Sequence, residues 1–284
     1  MAKHKKITKA MQLDQPAKTL KFCGKKSAAR QEEPFVHVYG RGRAVCETDA
    51  KGHAFPGGRS PLEIVVDATE GFIPLWDESV VLRWRFQERS LSIFRDPTGA
   101  KQYLRALFAH GLQLWGDAPP VRFTEVRDRW DFEIAVSARE NCSANGCTLA
   151  RAFFPDSGRH DLLIYPTMFE QTLQEQIETL AHEIGHIFGL RHFFADITET
   201  RWRSEIFGEH SPFSIMNYGP KSVMTPADQA DLKTLYELAW SRDLTEINGT
   251  PIQLMRPFSD FLPRMPGPGD CSSGLGRVAA FKGR

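Results

Sequence analysis

The chain has 284 residues, 41% of them hydrophobic, a formal charge of +1 and no internal repeat, which suits one main domain with a sizeable core. Residues 1–30 hold eight lysines and Arg30 against Asp14 alone, a local +8 that leaves −7 for the remainder, so the charge is asymmetric and not basic throughout. No stretch approaches the ~20 apolar residues of a membrane-spanning helix. The first thirty lack the apolar centre of a secretory signal, so an intracellular location is the default and unconventional secretion the alternative. Five cysteines are too few and too scattered for a disulfide scaffold, and their odd number leaves at least one unpaired.

Residues 1–60 are polar and punctuated by Gly and Pro, and read as a lysine-rich flexible segment and linker with one short strand at "FVHVYG". The lysines suit a solvated tail; no aromatic-interleaved basic groove or finger spacing accompanies them, so no nucleic-acid partner is expected. "VVLRWRF" (80–86) is β-branched and aromatic with partial alternation, a strand, and "PTGAKQYLRALFAHGLQLW" (97–115) has helical spacing beginning after Pro97 and Thr98. "DFEIAVS" (131–137) alternates as a half-buried strand; "TLARAFFP" (148–155) and "DLLIYP" (161–166) follow as strands joined by the turn-rich "DSGRH". "EQTLQEQIETLAHEIGHIFGL" (170–190) is the most periodic segment, with Gly189 where a helix would end. Thr225 as cap, Pro226 in the first turn and Asp228 at the capping-box position announce a last helix, and the Pro- and Gly-rich residues 243–284 read as a loosely ordered tail. The fold class is α+β, a small mixed twisted sheet with helices.

The chemistry concentrates in "LAHEIGHIFGLRHF" (180–193). His182 and His186 are one turn apart on one helix face, so both imidazoles can reach one metal ion. Glu183 lies about 100° round the helix, beside that face, where its carboxylate can touch water on the metal without being a ligand. Two helix histidines leave zinc under-coordinated, and Gly189 permits the φ > 0 turn that would bring His192 back as the third. Each histidine alone would read as an ordinary core or surface residue; the extended H-E-x-x-H-x-x-G-x-x-H spacing argues otherwise.

This constellation resembles the zinc-binding pattern of metzincin metallopeptidases, and "SIMNYG" (214–219) resembles their Met-turn. "LQLWGDAPPVRFTEV", "DFEIAVS" and "TLARAFFP" are similar to the corresponding helix and strands of matrixins, so the likeness covers roughly residues 75–240. It implies a metzincin-like zincin domain over 61–242, with one catalytic Zn2+ held by His182, His186 and His192 over an apolar floor at Met216. Glu183 is then the general base of a zinc-dependent endopeptidase acting on a protein or peptide substrate. Tyr218, two residues after Met216 as in astacins and serralysins, would stabilise the oxyanion. A peptide-binding protein that keeps the fold without turnover is the alternative, against which the intact Glu183 argues.

Some features depart from the matrixin pattern. Arg151 stands where matrixins usually have a histidine for a second, structural zinc, and no calcium-loop residues are apparent, so one zinc and no calcium are expected. "KFCGKK" faintly resembles the "CG" of the matrixin propeptide, which would make Cys23 a ligand imposing latency. Substrate is expected to dock as an added strand on the edge formed by "TLARAFFP". Cys142 and Cys147 bracket "SANG" and are either joined, in an oxidising environment, or two free thiols. Asn141 and Asn248 each begin a glycosylation sequon, a weak signal.

Overall fold

A computed structural model describes residues 44–45, 64–67, 71–143, 146–191, 204–207, 214–216 and 222–263. The strands are β1 (Ala44–Val45), β2 (Ile64–Asp67), β3 (Ile73–Trp76), β4 (Val81–Phe86), β5 (Arg122–Glu125), β6 (Phe132–Val136), β7 (Asn141–Ser143), β8 (Gly146–Thr148), β9 (Ala150–Arg151), β10 (His160–Ile164), β11 (Ser204–Phe207), β12 (Glu246–Ile247) and β13 (Thr250–Met255). The helices are α1 (Glu88–Leu91), α2 (Pro97–Leu114), α3 (Leu173–Ile187) and α4 (Pro226–Ser241), with 3-10 turns at Pro166–Glu170 and Phe258–Phe261.

The main sheet runs β5-β4-β6-β10-β9, parallel except for the antiparallel edge strand β9. It is the mixed sheet of an α+β protein. In β4, Leu82, Trp84 and Phe86 point into the core, and Arg83 and Arg85 alternate to the outer face. Against the apolar face lie α2 and α3. Phe108 of α2 meets Trp84 at 5.3 Å and Phe123 at 5.5 Å, and Phe188 at the end of α3 meets Phe123 at 6.1 Å, edge-on and tilted geometries that pack rings densely. Helix α2 begins at Pro97 itself, because Asp96 is its cap and accepts from Gly99 N. Pro costs nothing at the first helical position, where its missing N–H would be an orphan donor.

The expected strand 148–155 is shorter than its pattern, and its start belongs to a separate hairpin. β7 and β8 pair with Cys142 opposite Cys147, and the two sulfurs are joined. β1 then adds to β8 in parallel, so a piece of the expected N-terminal tail is a strand. The strand expected at "FVHVYG", the proline-rich end of the tail and Cys23 lie outside the described residues.

At the other end, the region expected as tail carries structure as far as Pro263. β12 and β13 form a hairpin whose turn residues Asn248 and Gly249 have φ of 51° and 80°, the left-handed conformation that Asn-Gly tolerates. β13 runs parallel to β3, with Ile252 opposite Ile73 and Met255 opposite Trp76. Beyond it the buried Asp131 carboxylate accepts from Ser259 N at 2.7 Å and Arg83 N at 2.7 Å, and Arg129 donates to Leu262 O at 2.7 Å. β13 shows partial alternation without a strong apolar run, and its pairing is long-range, which is why composition alone reads the segment as loose.

Candidate metal centre

Helix α3 is set up locally at both ends. Thr172 and Glu175 form a reciprocal capping box: Thr172 N donates to Glu175 Oε2 at 2.9 Å, and Glu175 N to Thr172 Oγ1 at 3.3 Å. At the other end Gly189, φ 90°, closes a Schellman turn: Leu190 N donates to Gly185 O at 3.0 Å and Gly189 N to His186 O at 2.8 Å. A Cβ at Gly189 would also press on Pro74 O at 3.0 Å. The chain therefore leaves the helix abruptly, right after its second histidine.

His182, Glu183 and His186 all have zero exposure. Three ionisable groups are rarely buried together without a shared function. His182 Nδ1 lies 2.8 Å from Ile215 O, and His186 Nδ1 lies 2.7 Å from Leu190 O. A carbonyl can only accept, so both Nδ1 atoms carry the proton, and in the neutral rings both Nε2 atoms present lone pairs. Those two Nε2 atoms face one another at 3.1 Å. Two lone pairs repel at that distance, whereas two nitrogens at about 2.05 Å from a tetrahedral zinc would stand roughly 3.3 Å apart. The donor set and its spacing fit a cation such as zinc. Among the described residues no group of three metal-binding side chains is complete. The expected third ligand, His192, lies just past Arg191 and outside the described residues.

Beneath the helix is Met216, 2% exposed. A Cβ on Gly185 would collide with Met216 Sδ and reach Trp115 Cζ2 at 3.0 Å. Glycine between the two histidines thus has a packing reason: it admits the thioether against the helix backbone. Tyr218, two residues on, is outside the described residues.

Partners that spacing could not reveal surround this centre. Ile215 O, which orients His182, is held because Ile215 N donates to Asp228 Oδ2 at 3.3 Å, and the same carboxylate oxygen accepts from Thr225 N at 2.8 Å. Asp228 therefore caps α4 and steadies the Met216 turn together. Its place in the capping box was the only signal for it. Phe154 meets the His186 ring edge-on at 5.5 Å. Arg191, between the Schellman turn and His192, is 1% exposed, a buried cation that nothing in its sequence context announces.

Arg151 sits half-buried on β9 opposite Leu163. His160 stacks on Phe153 at 4.3 Å and pairs with Asp156 at 3.0 Å. Burial acts to raise the Asp156 carboxyl, but the hydrogen bond and charge of His160 and the Gly158 N–H outweigh it and hold Asp156 below the usual carboxylate range. Of the edge expected to receive substrate, Thr148 is already opposite Val45 in β1, and β9 is the edge strand of the main sheet.

No protein-family model matches the sequence. Stromelysin-3 of Mus musculus is 28% identical over 166 residues, which is 54% of this chain and 31% of that protein. Stromelysin-3 of Homo sapiens is 29% identical over 122 residues, 39% of this chain and 25% of that protein. The chain is metzincin-like. It spans about a third of the length of these curated relatives or less. Among solved structures, that of myroilysin overlaps the metzincin-like chain with a TM-score of 0.39 at 13% identity, over 61% of this chain and 98% of that one. No described helix is long and apolar enough to cross a membrane.

Proposed function

We propose that this chain is a zinc-dependent endopeptidase in which His182, His186 and His192 hold the metal and Glu183 is the general base. The observation that carries the reading is the pair of buried imidazoles, each donating from Nδ1 to a main-chain carbonyl and turning Nε2 toward the other at 3.1 Å, on the helix that also buries Glu183. A zinc ion bound there supplies a Lewis acid that makes water nucleophilic near neutral pH and polarises a peptide carbonyl.

The remaining work belongs to the chain. Ile215 O and Leu190 O keep both rings in the tautomer that offers Nε2 and stop them from rotating. The Glu183 carboxylate takes the proton of the attacking water and returns it to the departing amine. Met216 excludes water from below the rings. A peptide laid along the outer edge of β9 satisfies its main chain against that strand, which fixes the scissile bond without demanding a sequence. Tyr218 donates a hydrogen bond where negative charge develops on the carbonyl oxygen.

Glu183→Gln keeps the shape and removes the base, so zinc content should stay at the wild-type level while turnover of a diverse peptide library falls by about 10² to 10⁴. The chelator-treated wild type sets the zero. Undiminished cleavage by the variant would remove Glu183 from the reaction.

A further inference from the structure

The carbonyls at the end of α3 have an accounting of their own. Gly185 O and His186 O are taken by the Schellman turn, which leaves Ile187 O and Phe188 O, both on residues with zero exposure, needing donors from elsewhere. Trp76 Nε1, from β3, donates to Ile187 O at 2.7 Å. Tyr236 OH, from α4, donates to Phe188 O at 2.9 Å. The two donors are themselves joined, because Trp76 N donates to Tyr236 OH at 3.2 Å, and Trp240 Nε1 donates to Trp76 O at 3.0 Å. Trp76 and Tyr236 are each 1% exposed, so water cannot substitute for either.

We infer that Trp76 and Tyr236 are positioning residues for the metal centre, clamping the two consecutive carbonyls at which the chain turns out of α3. Packing alone would be served by phenylalanine rings. Two polar donors aimed at adjacent carbonyls instead set the pitch and direction of the exit. The turn they fix carries Leu190, whose carbonyl orients His186, and leads through Arg191 to His192. Burial pushes the Tyr236 phenol well above its usual pKa, so the hydroxyl remains a donor across the whole working range. The inference rests on the metal-centre reading above and adds what holds that centre in shape.

Tyr236→Phe removes one oxygen and keeps the ring. Its control is Tyr103→Phe, which removes another buried hydroxyl, one that donates to Gln176 near the start of the same helix at 2.9 Å. Zinc dissociation constants are measured by chelator competition, and the cobalt-substituted protein gives a ligand-field spectrum that reports the geometry at the metal. Tyr236→Phe should weaken zinc binding by about 10- to 100-fold, the usual cost of disturbing an outer-shell partner, and shift the cobalt spectrum. Tyr103→Phe should lower the melting temperature while leaving both metal readouts at the wild-type value. Trp76→Phe repeats the test from the Ile187 side. Wild-type metal readouts in both clamp variants, or an equal loss in Tyr103→Phe, would overturn the inference. Failure of the wild type to bind zinc would overturn the metal-centre reading itself, and this inference with it.

Discussion

Gly185→Ala separates two effects of opposite sign. In an ordinary helix interior, alanine is better than glycine by about 1 kcal/mol. Here the new Cβ collides with Met216 Sδ and stands 3.2 Å from Met216 Cε and 3.0 Å from Trp115 Cζ2. Trp115 cannot give way, because it is fully buried and its Nε1 is tied to Ala181 O at 2.9 Å. Met216 must move, and overpacking of that kind costs about 1–3 kcal/mol. The net is a loss of roughly 0–2 kcal/mol, about 2–4 °C in melting temperature per kcal/mol for a domain of this size. Urea unfolding of the metal-free protein, followed by tryptophan fluorescence, measures it without interference from zinc affinity. In a Met216→Ala background the obstacle is gone, so the same substitution should become neutral or stabilising, a coupling that only contacting residues show. Stabilisation of the native background by Gly185→Ala, or an identical effect in both backgrounds, would refute the claim that this glycine exists to admit the methionine.

His192→Ala should lose zinc by a large factor on dialysis, whereas His160→Ala should not; equal losses measured by metal analysis would mean that the third ligand is misassigned. Asp156, held below the usual carboxylate range by His160, favours the fold above the ordinary carboxylate pKa and loses that contribution as pH falls through its depressed value. His160→Ala should therefore raise the Asp156 titration seen by carbon-detected NMR, and an unmoved titration would show that His160 is not the cause. Ending the chain after Arg242 removes β13 from β3 and Ser259 from Asp131, and should abolish a cooperative thermal transition in circular dichroism. An unchanged melting curve would return those residues to the status of a tail.

The sequence was most informative where local periodicity and local chemistry coincide. The helix with His182, Glu183 and His186 is periodic, and Gly189 ends it. The Thr225–Asp228 cap is likewise made of residues three apart, and Cys142 and Cys147, five apart, are a pair whose joining the sequence leaves open, whereas the Asn248–Gly249 turn falls in a segment that reads as tail. Less legible were contacts made over distance. Nothing near "IPLW" says that Trp76 will donate to the end of α3, nor does "TPIQLM" say that it will lie beside that strand. Arg151 can be named as a departure only by analogy, and the sequence reading does not single out Phe154, edge-on to His186, at all. His192, proposed as the third ligand, and Tyr218 both lie outside the described residues.

The pairing of β3 with β13 also sets an order in time. β3 is made early, is buried along its whole length, and finds its parallel partner only after α4 has been synthesised. Closing so long a loop is slow, and apolar strand surface left open meanwhile invites aggregation. Trp76 belongs to that strand, and Tyr236 to the helix made just before its partner. Both donors to the exit of the histidine-bearing helix are thus made before the last hairpin, but the strand that carries Trp76 gains its parallel neighbour only with β13. A chain released before β13 is made would carry the complete H-E-x-x-H-x-x-G-x-x-H sequence while β3 still lacks its parallel partner.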